Sequence, residues 1–386
     1  MNLELQKYQY RAEGNHNLVV ALHGTNMVLR LQKAKVIENN SLSILQKFIN
    51  TVMHPVLGDY VSKVCVVTLN NDQMEKIKKA IALERPKKFC LDNNLHSAGV
   101  LMKDQGVLPN TCSGPTLSIE IKPKLSILSS NFYPDLCNFC QKQEKNWEIK
   151  NFVKSKYCPF DLFSGDSARM TLALKHLMLN PQNNMMFFKD GILLDDIQRK
   201  SFLSSTFGDE TIVLQVLVSL LTAEPNCEQI NLKPDQNFQV DFQEKSRICN
   251  KKFESLPEKC ILNTILSHQR INMRDDEVQS LLDTLQSVGL DEENFHEVLS
   301  KDKIIDSENV GIHKMIQDLR KIAISLTLRN SSLMITLAPE DRKDTNKDGS
   351  WIAIDDKLFR YKISLIDLDP KPLSKLQKFA KDRTRF

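Results

Sequence analysis

The sequence contains no long hydrophobic run. Of its 386 residues, 41% are hydrophobic and 26% are charged, but no apolar stretch approaches the roughly 20 residues that a membrane-spanning helix needs. The segment from Met1 to Arg11 is polar and amphipathic, without the apolar stretch of a secretory signal. These absences predict a globular protein with a substantial core, located in the cytosol or the nucleus.

The sequence also has few aromatic residues and almost no excess of one charge. Aromatic side chains make up 7% of the chain, and the formal net charge is +4. Nucleic-acid-binding proteins need a continuous basic stripe, with exposed aromatics where they bind single strands, so the composition argues against that class. The basic residues instead form short clusters such as Lys122/Lys124 and Lys371/Lys375. This pattern favours a compact anionic ligand.

The chain has nine cysteines, most of them isolated. In a reducing compartment isolated cysteines are ordinarily free thiols. However, Cys137 and Cys140 form a C-x-x-C pair, and Cys158 follows them. Tetrahedral zinc needs four ligands, so we keep free thiols and a structural zinc site as alternatives. Three residues are candidates for the fourth ligand: Cys90, Cys112 and His176.

The first third of the chain reads as strands with a few helices. Gly24-Thr25-Asn26 joins two β-rich runs, Asn17–His23 and Met27–Leu31, and predicts a hairpin between them. We expect Leu117–Ile121 to complete the same small sheet.

Beyond about residue 126, apolar stripes with helical spacing dominate, and two strands follow them. The expected architecture is therefore α+β and two-lobed. We expect a small mixed-sheet lobe over 1–125 and a larger helical lobe over 126–386. A cleft between two lobes is where nucleotides and small ligands usually bind.

A short loop before the first predicted hairpin could hold phosphate. The loop is Ala12-Glu13-Gly14-Asn15-His16-Asn17, and small side chains let backbone N–H groups approach phosphate oxygens. With a single glycine, the segment also fits an ordinary turn. Arg30 lies on the second strand of the hairpin, where kinases commonly place a cation that reaches nucleotide phosphates. A surface arginine on a strand would have the same appearance.

A second charged cluster is Glu120-Ile121-Lys122-Pro123-Lys124. Residues two apart in a strand share a face, so three charged side chains would point the same way. Pro123 has no N–H, which indicates a strand end or an edge strand. The cluster fits either a solvated edge strand or a face turned towards a charged ligand.

A third cluster is Ile366-Asp367-Leu368-Asp369-Pro370-Lys371-Pro372, with Lys375 beyond it. Magnesium prefers one or two carboxylates plus phosphate oxygens, while nearby lysines neutralise the remaining charge. A carboxylate at a strand end followed by lysines is therefore typical of a Mg²⁺–phosphate site.

Together these segments resemble the motifs of inositol-pentakisphosphate 2-kinases. In the family's order, the chain contains Glu120-Ile-Lys-Pro-Lys124, Tyr157-Cys-Pro-Phe-Asp-Leu-Phe-Ser-Gly165, Pro181-Gln-Asn-Asn184 and Ile366-Asp-Leu-Asp-Pro-Lys-Pro372. The glycine-loop segment fits as well, and the similarity runs from about Arg11 to about Lys378.

The resemblance implies a two-lobed inositol phosphate kinase fold, distantly related to protein kinases. It implies that ATP and Mg²⁺ serve the conversion of inositol 1,3,4,5,6-pentakisphosphate to the hexakisphosphate, phytate, and that Asp367 binds the Mg²⁺. At the nucleotide it places Glu13, Gly14, Asn17, Arg30 and Glu120. At the inositol phosphates it places Lys122, Lys124, Lys145, Asn183, Lys371 and Lys375. The partners are thus ATP and inositol pentakisphosphate, and we expect a monomer.

One motif departs from the family pattern at a catalytic position. Asn330 stands where the family has an aspartate, the candidate base for the attacking hydroxyl. An amide cannot accept a proton near neutral pH, but it can orient a hydroxyl by hydrogen bonding, and general-base help is typically worth about 10² to 10⁴ in rate. We therefore expect an active 2-kinase with Asn330 and Asp367 at the reacting centre. The alternative is a weakly active or inactive relative that binds inositol polyphosphates.

Overall fold

The computed structural model contains two β-sheets with helices packed around them. It confirms the α+β class expected from the sequence. The structure describes residues 7–33, 41–86, 89, 94–108, 114–124, 135–150, 153–225, 229–234, 249, 254–270, 277, 280–281, 283, 292–300, 310–340 and 350–384.

The first sheet is formed by the N-terminal part of the chain. Its strands are β1 (Tyr8–Glu13), β2 (Asn17–Leu22), β3 (Met27–Lys33), β4 (Cys65–Thr68) and β5 (Leu95–Lys103). They lie in the order β1-β2-β3-β5-β4, and every neighbouring pair is antiparallel. Strand β1 was not expected from the sequence, and it carries the residues that lead into the glycine loop.

The turn between β2 and β3 confirms the predicted hairpin. Gly24 has a φ of 74°, a left-handed conformation that glycine adopts without a steric penalty. Thr25 Oγ1 donates to the Leu22 carbonyl (2.7 Å) and accepts from the Met27 N–H (3.1 Å). Because Leu22 pairs with Met27, the turn sets the register of β3 and thereby the position of Arg30.

The second sheet is larger. Its strands are β6 (Leu117–Ile121), β7 (Met185–Lys189), β8 (Ile192–Leu193), β9 (Gln229–Leu232), β10 (Ser332–Pro339), β11 (Ser350–Ile354) and β12 (Lys357–Ile366). Their order is β8-β7-β6-β10-β12-β11-β9. All neighbours are antiparallel except β11 and β9.

One expectation about sheet membership was wrong. Strand β6 does not join the small sheet, because it pairs with β7 and β10. All its residues are buried, as suits a central strand. Beyond residue 126 the described chain has more helical than strand residues, and it also supplies six of the seven strands of the second sheet. The lobe boundary near residue 125 stays a prediction.

Helices cover both sheets. The α-helices are α1 (Ser41–Phe48), α2 (His54–Leu57), α3 (Asn71–Ile81), α4 (Asn138–Lys150), α5 (Pro159–Leu162), α6 (Ser167–Leu179), α7 (Asp196–Phe207), α8 (Glu210–Thr222), α9 (Ile261–Gln269), α10 (Glu292–Ser300), α11 (Val310–Leu328) and α12 (Leu373–Thr384). A π-helical segment, Ile49–Met53, links α1 to α2, and a 3₁₀ turn, Gly58–Tyr60, follows α2.

Two of the apolar stripes found in the sequence are confirmed as buried helix faces. They are the stripes of α6 and α11, which contribute Met170, Leu174, Leu319 and Ile322 to the core. The stripe predicted over 278–288 lies almost wholly outside the described residues. No helix in the described part of the chain has both the length and the apolar character to cross a membrane.

Candidate active site

A cleft of about 490 Å³ lies where the two sheets face each other. Its walls bring together the three charged clusters of the sequence, since Gly14, Arg30, Glu120, Lys122 and Asp367 all line it. The first two come from the five-stranded sheet and its loop, and the others from the seven-stranded sheet. Segments from both ends of the chain therefore form one site.

One part of the cleft is apolar. The side chains that form it are Val19, Val28, Met102, Met334 and Leu365. The segment that joins the two sheets, residues 104–106, lines the same region. Hydroxyl groups hold this segment, because Thr336 Oγ1 donates to the Gln105 carbonyl and Ser118 Oγ to the Gly106 carbonyl, both at 2.6 Å. An apolar pocket beside fixed backbone suits a flat heterocycle.

The glycine loop at the cleft is anchored by a buried ion triad. Glu13 Oε1 lies 2.8 Å from Lys33 Nζ and 2.6 Å from Arg85 Nη2, and the three side chains are 0%, 2% and 6% exposed. Burial raises the pKa of Glu13, but hydrogen bonds from Arg85 and Lys33 outweigh it, and the pKa is lowered. Glu13 therefore reaches the cleft through its backbone. The loop itself is closed by Gly14 N–H donating to the Asn17 carbonyl (2.9 Å).

Arg30 connects the two sheets. Its Nη1 and Nη2 donate to the two carboxylate oxygens of Asp369 at 2.8 and 2.7 Å. Burial disfavours the charge on Arg30, but the attraction of Asp369 outweighs it, so the pKa of Arg30 is raised. Burial also opposes the charge on Asp369, yet Arg30, Lys371 and His16 lower its pKa. Such bidentate pairs fix orientation, and the cleft therefore contains a pre-oriented guanidinium.

Two carboxylates of the seven-stranded sheet share one lysine. Lys122 Nζ lies 3.5 Å from Glu120 Oε1 and 3.8 Å from Asp367 Oδ2. Ser332 Oγ donates to Asp367 at 3.1 Å, and the Asp367 side chain is 52% exposed. Burial raises the pKa of Glu120, and the negative charge of Asp367 raises it further. The hydrogen bond from Ser332 and the charge of Lys122 lower it, but they do not outweigh burial. The pair carries more negative charge than Lys122 neutralises, so its donors fit a divalent cation.

The backbone at Asp367 supports a functional role for this position. Its φ is 60°, a left-handed conformation that residues other than glycine rarely adopt. Backbone conformations of this kind persist where surrounding structure enforces them, and they cluster at active sites. The pairing of Ser332 with Ile366 and the hydrogen bond from Ser332 provide that enforcement.

Beyond Asp367 the surface is basic. No carboxylate in the described part of the chain lies within ion-pair distance of Lys124, Lys371 or Lys375. Burial lowers the pKa of Lys124, and the positive charges of Lys122 and Lys142 lower it further. Lys142 has no assigned role from the sequence. Lys122, Lys124 and Lys142 thus lie near enough to repel one another, as in a site that binds a polyanion.

The remaining predicted site residues lie on exposed turns and helices. Lys145 is exposed on α4, and Asn183 is exposed in a turn where its φ is 65°. Asn330 is exposed just after α11, and its amide donates to the Leu326 carbonyl (3.4 Å). Two residues later Ser332 contacts Asp367, so Asn330 lies just before the strand that holds this carboxylate.

Four cysteines, three of them buried, form a cluster at the start of α4. The Sγ atoms of Cys137, Cys140, Cys158 and Cys249 all lie within 4.8 Å of one another. Sulfur atoms around tetrahedral zinc are about 3.8 Å apart, given Zn–S bonds of about 2.3 Å. Cys158 and Cys249 are 3.5 Å apart, too far for a disulfide and close enough for a shared ion. The cluster is consistent with a structural zinc site.

The fourth sulfur was not identified from the sequence. It comes from Cys249, whereas His176 is not part of the cluster. Cys90 and Cys112, the other candidates, lie outside the described residues. These four cysteines are free thiols in the structure, as are Cys65 and Cys260, but their grouping favours the zinc alternative for the four.

A sequence model of the inositol-pentakisphosphate 2-kinase family matches residues 10–384. The chain belongs to the inositol-pentakisphosphate 2-kinase family. It is 25% identical over 436 aligned positions to the inositol-pentakisphosphate 2-kinase of Danio rerio, covering 95% of this chain and 89% of that protein. With the Arabidopsis thaliana inositol-pentakisphosphate 2-kinase it shares 22% identity over 431 positions, covering 96% and 90%. The resemblance seen in the motifs is thereby confirmed.

For a member of the inositol-pentakisphosphate 2-kinase family, three further residues of the site stand out. Asp369 orients Arg30, Ser332 orients Asp367, and Lys142 lies near Lys124. The D-x-D spacing of the 367–369 segment was a signal for Asp369. Nothing local in the sequence distinguishes Ser332 or Lys142 from ordinary polar residues.

Proposed function

We propose that this protein transfers the γ-phosphate of ATP to the 2-hydroxyl of inositol 1,3,4,5,6-pentakisphosphate, giving the hexakisphosphate and ADP. The observation that carries the proposal is a single cleft lined by an apolar pocket, by Arg30 and the Gly14 loop, and by the group Glu120, Lys122 and Asp367. Further lysines, Lys124 and Lys371, follow this group closely in the sequence. Asp367 lines the same cleft. An apolar pocket, cations and a carboxylate in one cleft are the groups that a nucleotide, its metal ion and a polyphosphate acceptor require.

On the nucleotide side, the apolar pocket would receive the base, and the Gly14 loop and Arg30 would face the phosphates. Arg30 keeps N–H groups available while both terminal nitrogens are held by Asp369, because a guanidinium has five donors. The anchored loop and the oriented arginine need little rearrangement when ATP binds. Such preorganisation is the main contribution a protein makes to phosphoryl transfer.

Asp367, with Glu120 beside it, would hold Mg²⁺. When bound, the ion neutralises the charge that develops on the transferred phosphate. Lys122 sits between the two carboxylates and would contact the acceptor or the transferred phosphate from the same face. Ser332 keeps the Asp367 carboxylate in place through its hydrogen bond.

On the acceptor side, a group of basic and amide side chains would bind the inositol phosphates. It comprises Lys122, Lys124, Lys145, Asn183, Lys371 and Lys375. Asn330 would orient the attacking hydroxyl without taking its proton. Phosphoryl transfer depends mainly on positioning and charge neutralisation, so we expect turnover despite the missing aspartate. We also propose that the four cysteines hold a structural zinc ion.

The test is transfer from labelled ATP to inositol pentakisphosphate in the presence of Mg²⁺, comparing the wild type with Asn330→Asp. We expect hexakisphosphate from both proteins, with a higher kcat for the variant by up to about 10²-fold, since general-base help is worth about 10² to 10⁴. A wild type that binds the acceptor without turnover, and an active Asn330→Asp variant, would instead support the binding-protein alternative that Asn330 raises.

A further inference from the structure

Two residues outside the cleft, Gln143 and Tyr157, contact the segments that carry the acceptor-side residues. We infer that they are positioning residues of the acceptor site, through which the four-cysteine cluster fixes the placement of Lys122, Lys124 and Asn183. The inference rests on the proposed function for the identity of the acceptor. It concerns the inositol phosphate half of the site and leaves the nucleotide half unaffected.

Gln143 holds the turn that contains Asn183. Its Nε2 donates to Gln182 Oε1 (3.0 Å), and Gln182 Nε2 donates back to Gln143 Oε1 (3.1 Å). Gln182 and Asn183 both have positive φ values, 44° and 65°, which side-chain-bearing residues rarely adopt without support. Gln143 is only 7% exposed and also accepts from the Ser155 N–H (3.0 Å). Because the amide pair is buried at Gln143, its loss leaves polar groups unsatisfied and frees the turn.

Tyr157 holds the segment between the two cluster lysines. Its hydroxyl donates to the Pro123 carbonyl at 2.6 Å, and the side chain is 1% exposed. Pro123 separates Lys122 from Lys124, and the Lys124 backbone has a φ of 63°. The phenol therefore holds the peptide unit that leads into Lys124. The Lys122 N–H donates to the Asn184 carbonyl (2.8 Å), in the turn that Gln143 holds.

Both positioning residues are attached to the four-cysteine cluster. Cys140 lies in the first turn of α4, one helical turn before Gln143. Tyr157 directly precedes Cys158, and its carbonyl accepts a hydrogen bond from Cys140 Sγ (4.0 Å). Cys249 contributes its sulfur from a distant part of the chain and closes the set. The cluster thus sets the position of α4 relative to the 155–158 segment, and with it the two hydrogen bonds.

The same helix brings additional positive charge to the acceptor side. Lys142 precedes Gln143 on α4, and its charge is felt by Lys124. Lys145 lies one turn further along the helix. A shift of α4 would therefore change the placement of two lysines directly and that of Asn183 through the Gln143–Gln182 pair.

The test is a set of variants assayed for both substrates. In Tyr157→Phe and Gln143→Leu we expect the KM for the inositol phosphate to rise about 3- to 10-fold, as for loss of one buried hydrogen bond. The KM for ATP should stay within about twofold of the wild type, because a positioning hydrogen bond on the acceptor side leaves nucleotide contacts intact. Gln182→Leu should also raise the acceptor KM, and the double variant should lose less than the sum of the two single effects, because both variants remove the same amide pair.

A matched control is Gln73→Leu. Gln73 is also 7% exposed, and its side chain accepts a hydrogen bond at the start of α3, in the part of the chain that forms the first sheet. We expect this variant to lower Tm without a selective rise in the acceptor KM. If Tyr157→Phe and Gln182→Leu lower only Tm, or raise both KM values equally, the inference is overturned.

A second measurement addresses the cluster directly. Metal content by mass spectrometry should give one zinc per chain, and removal by a chelator should weaken binding of inositol hexakisphosphate in calorimetry more than binding of a non-hydrolysable ATP analogue. Equal weakening of both ligands would contradict the inference. Since calorimetry needs no turnover, a protein that binds selectively in this way but never transfers phosphate would refute the proposed function and leave the inference standing.

Discussion

On the nucleotide side of the cleft, the buried cations have carboxylate partners within the chain. Arg30 is held by Asp369, and Lys33 and Arg85 are held by Glu13. On the acceptor side, Lys124, Lys371 and Lys375 have no carboxylate within ion-pair distance in the described part of the chain, and Lys122 lies 3.5 and 3.8 Å from its two carboxylates. The cations of the nucleotide side form ion pairs that hold the protein's own structure together, whereas those of the acceptor side can bind a ligand.

This difference reflects two physical requirements. A buried cation is tolerated only when it is paired and hydrogen-bonded, so the loop and strand that face the nucleotide are fixed before it binds. Crowded lysines repel one another and reduce stability, and a polyanion relieves that repulsion when it binds. Substitutions on the nucleotide side are therefore expected to lower the stability of the protein. Substitutions on the acceptor side are expected to lower its affinity for the ligand.

The largest effect is expected where the two sides meet. Asp367→Asn should lower kcat by about 10³-fold, since one preorganised electrostatic group is worth about 10² to 10³ in turnover. Tm should change little because the side chain is half exposed and asparagine tolerates positive φ. The control is Asp355→Asn, at a position whose φ is also positive (52°) but which lies in the turn between β11 and β12. Wild-type-like turnover of the Asp367 variant would refute its role as metal ligand.

Glu13→Gln tests the paired side. We expect a loss of about 3 kcal/mol in the free energy of unfolding, because it leaves two buried cations without their counter-charge. The pKa of Glu13 is lowered below its usual 4.5, so its stabilisation is complete above that pH and disappears as the pH falls through the folded value. Urea unfolding at several pH values measures both effects.

The comparison variant is Glu75→Gln, which breaks an exposed pair with Lys78. Exposed pairs of this kind contribute roughly 0 to 1 kcal/mol. If the two variants unfold with similar free energies, the triad does not anchor the loop as argued.

Lys371→Ala tests the unpaired side. We expect an affinity for inositol hexakisphosphate about 10-fold lower, with little change in Tm, because Lys371 acts on Asp369 only from beyond ion-pair distance and a single charge–phosphate contact is lost. The effect should grow at low ionic strength, where charges are less screened. Lys200→Ala is the control, since Lys200 already lies 3.7 Å from Asp196 on α7. Equal affinities of the two variants would contradict the distinction between paired and unpaired lysines.

Local chemistry explains which parts of this architecture could be predicted. The Gly24 turn determines the β2–β3 hairpin and therefore the position of Arg30. The charged motifs at strand ends supply most of the side chains of the candidate site. Contacts between distant segments left no local signal. Arg30 and Asp369 are separated by 339 positions, and Cys158 and Cys249 by 91. The sheet membership of β6 was missed for the same reason, since its partners lie far along the chain.

The smallest expected effect is a pH dependence of acceptor binding. Burial, followed by the charges of Lys122 and Lys142, lowers the pKa of Lys124 from its ordinary value of 10.5. Lys124 is charged below its folded pKa and loses its charge as the pH rises through it, so affinity for a polyanion should decline at a lower pH than an ordinary lysine would allow. Lys124→Arg stays charged throughout, because guanidinium has a pKa above about 12.

The measurement is the ratio of the two Kd values for inositol hexakisphosphate between about pH 7 and about pH 10, in which an ordinary lysine stays largely charged. Titration of the ligand's own phosphates affects both proteins and cancels in the ratio. We expect the wild type to lose affinity relative to Lys124→Arg by a few-fold across this range. A ratio that stays constant would mean that burial and the neighbouring lysines do not lower the pKa of Lys124.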